Sequence, residues 1–112
     1  MVEMSDKKWV YIASPYTHGD VAVNVKNQMD TFIKLRENGF VPIAPLMCHF
    51  IHISHPRDYD FWFDTAVDWL LKCDFLVRLK GESAGADKEE LIAKENDIKI
   101  YYGIDELLLM EG

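Results

Sequence analysis

Residues 75–86 read Phe-Leu-Val-Arg-Leu-Lys-Gly-Glu-Ser-Ala-Gly-Ala. Phe75 to Leu79 is a short apolar run that predicts a strand. Gly81 to Gly85 is a turn of small residues, and Ala86 to Glu95 then predicts a short helix. A strand that feeds a helix through a glycine-rich turn is half of a parallel crossover unit, so the rest of the chain is read against that pattern.

Upstream, Lys8 to Ser14 (KWVYIAS) predicts a buried strand stopped by Pro15. Asp20 suits an N-cap, and Val21, Val25, Met29, Phe32 and Ile33 recur at helical spacing down to Gly39, which suits the position just past a helix end. Phe40 to Ala44 (FVPIA) predicts a second strand, and Pro42 inside it points to an edge or a short strand. Pro45 to Tyr59 shows no period and reads as a long loop with at most one helical turn. Asp60 to Lys72 predicts a helix with Phe61, Ala66, Trp69 and Leu70 as core candidates. Downstream, Ile98 to Tyr102 (IKIYY) predicts a fourth strand and Asp105 to Met110 a terminal helix.

Strands separated by helices require crossover connections, so the expected fold is α/β, with a short parallel sheet of four strands (a fifth left open) and helices on both faces. Every strand-to-helix loop then emerges at one sheet edge. These loops are Ser14 to Asp20, Pro45 to Tyr59, Lys80 to Gly85 and Tyr102 to Ile104. Open α/β sheets take their ligands at this carboxyl edge.

The chain has 112 residues, the size of one domain, and 49% of them are apolar. Twelve Lys and Arg against nineteen Asp and Glu leave a net charge of −7. Such a surface repels phosphate backbones, which excludes a general nucleic-acid binder but not a small nucleotide in a local pocket. No apolar run is long enough to span a bilayer, so no membrane partner is expected. Met1 to Lys8 is polar and lacks the pattern of a signal peptide. Cys48 and Cys73 sit in apolar surroundings without metal spacing, as reduced core residues of a cytoplasmic protein do.

Four groups can carry chemistry. The turn Gly81 to Ala86, with Glu89 beyond it, offers backbone N–H groups and a helix start to an anion, although Glu is common at any helix start. Ser14-Pro15-Tyr16-Thr17 offers a rigid strand exit and an aromatic hydroxyl, or only a turn. His49, His52 and His55 stand three apart. They have no acidic partner at a recognised spacing, so no metal is expected, and some of them face a ligand or solvent from a loop. Asp60, Asp64 and Asp68 stand four apart on one helix stripe, a solvated face from which one member could act as an acid or base.

In order along the chain stand YIASPYT (Tyr11 to Thr17), Asn24, NGFVPIAP (Asn38 to Pro45), WLLKCD (Trp69 to Asp74) and SAGADKEELIA (Ser83 to Ala93). The set resembles the nucleoside 2-deoxyribosyltransferase-like superfamily, especially its small bacterial and phage members, across Trp9 to Glu106. The resemblance implies a flavodoxin-like three-layer sandwich and an enzyme that cleaves or exchanges the N-glycosidic bond of a nucleoside or nucleoside monophosphate, without a cofactor. It implies that Glu89 is the nucleophile, with Glu90 the alternative by motif register. It places Tyr16 near the sugar and the nucleophile. Ser83, Gly85 and Ala86 would form the turn that holds the sugar or a 5′-phosphate. Ala13, Ser14, Pro15, Asn24 and His49 are the other expected binding residues.

The chemistry suits a carboxylate, which stabilises positive charge at the anomeric carbon and can bond to it. A helix N-terminus would keep Glu89 ionised at neutral pH. The family usually carries an aspartate eight residues before the Asp of the Cys-Asp pair, where this chain has Ala66. Asp64 is then the expected substitute, and only if the helix shifts locally, since two helical residues turn a side chain about 200° away. If the acid is lost, a non-catalytic nucleotide-binding module is the rival reading. Phe61, Trp62 and Phe63 cannot share one helix face, so a homo-oligomer, dimer or tetramer, is expected. The resemblance adds that a neighbouring subunit completes such sites.

Overall fold

Trp9–Ala13 forms strand β1, whose last four residues are buried. It lies inside the sheet of a computed structural model in which residues 7–112 are described. The N-terminal stretch read above as lacking a signal-peptide pattern lies, up to residue 6, outside the described residues. The remaining strands are β2 (Val41–Ile43), β3 (Phe75–Arg78) and β4 (Lys99–Tyr102). All pairings are parallel and the strand order is β2-β1-β3-β4. The helices are α1 (Val21–Glu37), α2 (Cys48–Ser54), α3 (Tyr59–Leu70), α4 (Ala84–Glu95) and α5 (Ile104–Glu111).

Strand alternation sends side chains to two separate cores. Val10, Ile12, Phe75, Val77 and Tyr101 pack with Leu35 of α1 and Leu107 of α5. Tyr11, Ala13 and Leu76 pack with Ala66 and Leu70 of α3 and with Ala86 and Ala93 of α4. The result is the expected three-layer α/β sandwich of flavodoxin-like form, with four strands among the described residues. No described helix is long and apolar enough to cross a membrane.

Three helix starts follow from their caps. The side chains of Asp20, Asp58 and Ser83 accept from the backbone N–H groups of Val23 (3.1 Å), Phe61 (2.9 Å) and Ala86 (3.1 Å). Each cap stabilises its helix by about 1 kcal/mol. The caps at Asp58 and Ser83 start α3 at Tyr59 and α4 at Ala84, earlier than the sequence reading of Asp60 and Ala86. Gly39 closes α1 at φ +88°, as its position predicts.

Three expectations change. The loop expected over Pro45 to Tyr59 instead holds a short 3-10 turn (Pro45–Met47) and α2. Only Cys48 of α2 is buried, so no apolar stripe betrays the helix. In α3, Phe61 and Trp69 are exposed, and the buried residues are Ala66 and Leu70. In α1 the buried residues are Gln28, Thr31 and Leu35. Ile33 is exposed, while Met29 and Phe32 pack part-buried against the core.

Candidate functional site

The strand order places β1 between β2 and β3, so the chain leaves β1 toward one side and later returns on the other. Loops after β1 and β3 therefore diverge and open a crevice at the carboxyl edge. A cleft of about 860 Å³ lies there, lined by Ser14, Tyr16, His49, Ser83, Gly85 and Glu89 among others.

Glu89 is 9% exposed and lines this cleft. The hydroxyl of Tyr11, which points from β1 toward α4, donates to its Oε2. Burial pushes the Glu89 carboxyl up to about 7, against opposing pulls from the Tyr11 hydrogen bond and the Arg78 guanidinium. The Tyr11 phenol is itself held well above its ordinary value, first by burial and then by the carboxylate, so it stays a donor. The expected help from the helix start is not what sets Glu89. With α4 starting at Ala84, Glu89 is its sixth residue, and the helix field fades within the first turn. Burial wins.

Glu90 faces elsewhere. It accepts from Arg78 Nε at 3.0 Å and from the Tyr102 hydroxyl at 2.7 Å, and it does not line the cleft. The geometry therefore separates the two glutamates that motif register left adjacent. Arg78, at the end of β3 and 9% exposed, also donates to the carbonyls of Leu79 and Gly81 and to Asp87. Its guanidinium thus holds the turn between β3 and α4 from behind.

The first loop is braced in a similar way. Asn24 does not touch the cleft; its Nδ2 donates to the carbonyls of Tyr16 (3.0 Å) and His18 (2.8 Å). Ala13 and Pro15 are buried and also stand back from the cleft. The Ala13 carbonyl accepts from Leu79 N–H at 2.9 Å. Pro15 packs where Gly81, at φ +119°, leaves room: a Cβ on Gly81 would sit 2.7 Å from Pro15 Cγ. Ser14 Oγ accepts from Gln28 Nε2 at 2.7 Å. Ser83 Oγ is engaged in capping α4.

Tyr16 pairs through its hydroxyl with His49 Nδ1, ring edge against ring face at 5.6 Å. His52 lines the cleft, and its Nδ1 accepts from the Trp62 indole N–H (2.9 Å) and the Arg57 backbone N–H (3.2 Å). Both partners are donors only, so this nitrogen carries no proton. His55 is exposed beside Ser54. Asp64 is exposed with its neighbours Asp60 and Asp68 and does not line the cleft, whereas Ala66 does. The helix does not shift, and the stripe is a solvated face.

Sequence reasoning missed Tyr11, Arg78 and Gln28 as site residues. A tyrosine and an arginine inside strand patterns were the signal, because each must find polar partners when buried. Gln28 is fully buried and bonds the Ile12 carbonyl, Ser14 Oγ and the Leu46 N–H, tying α1 to two edge loops. Outside this frame, Lys88 stands over the stacked rings of Tyr59 and Phe63 at the cleft wall.

No curated protein matches the chain. Residues 8–103 match the family described as Domain of unknown function (DUF7768), and the chain belongs to that family.

Proposed function

We propose that the protein cleaves or exchanges the N-glycosidic bond of a nucleoside or nucleoside monophosphate, with Glu89 as nucleophile. The observation that carries this reading is the buried Glu89 carboxyl, held by Tyr11 inside a cleft at the carboxyl edge of the sheet. A carboxylate fixed and largely buried, as Glu89 is, stabilises a developing oxocarbenium ion strongly and can close a covalent bond to it. Ser83, Gly85 and Ala86 support the reading, because small residues at a helix start let a sugar or a phosphate approach the backbone.

Incubation with deoxynucleosides and their 5′-monophosphates, followed by chromatography for free base, tests it. Release of base by the wild type and its loss in Glu89→Ala is the expected result. Activity that survives Glu89→Ala would falsify the nucleophile.

The position of Asp64 outside the cleft favours a second reading, a binding module without turnover. Calorimetry that shows nucleotide binding with no base release would select it. Free, buried Cys48 and Cys73 support a reducing, cytoplasmic setting for either reading. Exposed Phe50, Ile51, Ile53 and Phe61 support the homo-oligomer. A monomer at micromolar concentration by light scattering counts against it.

A further inference from the structure

Cleavage of a base from its sugar needs a proton as well as a nucleophile. A base that departs as an anion is a poor leaving group, and a positioned acid is worth roughly 10²–10⁴ in rate. The carboxylates of the α3 stripe do not reach the cleft, so the acid has to be sought among the groups that do. Glu89 is engaged as the nucleophile. His52 Nδ1 is held by two donors, and protonating it would break both bonds. His18 is exposed and pairs across the mouth with Glu82 at 3.5 Å.

His49 differs from these. It is half-buried, its Nδ1 is fixed by Tyr16, and its ring packs edge-on against Phe50 at 5.5 Å. Nε2 is therefore the nitrogen left for a ligand. Topology sets its side of the cleft. The α2 helix follows β2 and α4 follows β3, and those strands flank β1 on opposite sides. His49 and Glu89 thus approach one cleft from opposite sides, as an acid at the base and a nucleophile at the sugar must.

Resting on the glycosidic reading above, we infer that His49 is the general acid for the departing base and that Tyr16 is its positioning residue. The C1′–N bond breaks and its electron pair passes into the base. The Nε2 proton of the His49 imidazolium goes to a ring nitrogen of that base, while Glu89 closes a C1′–O bond. Nδ1–H stays on the Tyr16 oxygen. Water then attacks C1′, its proton returns to His49 Nε2, and Glu89 leaves as a carboxylate. Imidazole commonly fills such a role near neutral pH.

The test compares 2′-deoxyguanosine and its 5′-monophosphate with the 7-methyl derivative of each. A 7-methylated guanine leaves as a neutral base and needs no proton. The expected result is that His49→Gln slows the unmethylated substrate about 100-fold more than the methylated one. Tyr16→Phe, which keeps the ring, should shift the ratio the same way by less. Glu89→Gln should abolish turnover of both. Equal effects of His49→Gln on the two substrates, or wild-type turnover of the methylated substrate alone, overturn the role of His49 and leave Glu89 standing. Failure of the wild type on all four substrates overturns both.

Discussion

Tyr11 and Glu89 stand 78 residues apart in sequence, and the hydroxyl of the first donates to the carboxylate of the second. The bond joins β1, inside the sheet, to α4. Because it favours the ionised carboxylate, its removal leaves burial less opposed. In Tyr11→Phe the Glu89 carboxyl should therefore titrate above about 7, the wild-type value. Carbon-13 NMR of labelled glutamate side chains measures this directly. A titration that moves to lower pH would contradict the assigned role of the hydroxyl.

Glu89 should also cost stability at neutral and alkaline pH. Its folded value of about 7 lies above the ordinary 4.5. Below pH 4.5 both folded and unfolded chains hold the proton, and the group exacts no penalty. As pH rises toward 7 the unfolded chain releases its proton first, so stability falls. The full penalty, on the order of 3 kcal/mol, applies above the folded value. Thermal melts should therefore show Glu89→Gln gaining on the wild type between pH 5 and pH 8. The ionised fraction of Glu89, and with it turnover of a substrate that needs no acid, should rise across the same window.

Arg78 holds the turn between β3 and α4, and its partner Glu90 has a side chain only 16% exposed. Arg78→Met leaves that carboxylate without its cation and should lower stability by about 3 kcal/mol in urea unfolding. Arg78→Lys should recover little, because an ammonium cannot reproduce the planar fork that reaches two carbonyls and two carboxylates. The exposed Lys26–Asp30 pair provides the contrast. Lys26→Met should change stability by no more than about 0.5 kcal/mol.

Two glycines with positive φ separate conformational cost from crowding. Gly19, at φ +87°, has no atom within 4 Å of a built Cβ, so Gly19→Ala should cost about 1 kcal/mol through backbone alone. Gly81 adds the 2.7 Å approach to Pro15 Cγ, where neither ring nor backbone gives easily. Gly81→Ala should cost roughly twice as much or more, and it should disturb both site loops together. Paired thermal melts, with near-ultraviolet circular dichroism of the tyrosines, distinguish the two cases.

The alternation of strands and helices was legible because each strand is a short apolar run with glycine or proline beside it. The caps at Asp20 and Gly39 follow from residue type alone. The core face of α1 was less legible, since two of its three buried residues, Gln28 and Thr31, are polar. Gln28 is explained by its hydrogen bonds to the Ile12 carbonyl, Ser14 Oγ and the Leu46 N–H, and Thr31 by its hydroxyl, which donates to the Asn27 carbonyl one turn back in α1. The α2 helix was hidden for a related reason: it exposes Phe50, Ile51 and Ile53, so burial leaves no period in its sequence. At the site, the turn at Ser83 with a glutamate beyond it could be read from the sequence, but which of Glu89 and Glu90 enters the cleft could not. The Tyr11 and Arg78 partnerships could not, because they join residues brought together only when the sheet forms.

Pro42 has a consequence at the rim of the sheet. The Val41 N–H points inward, donating to the Lys8 carbonyl at 2.9 Å. Backbone polar groups alternate sides along a strand, so the next residue turns outward. That residue is proline, and it is the middle of a strand only three residues long. The β2 rim therefore presents no amide donor to an incoming strand. Lengthening of this sheet, by another segment or by another copy, is thus disfavoured at β2 relative to β4.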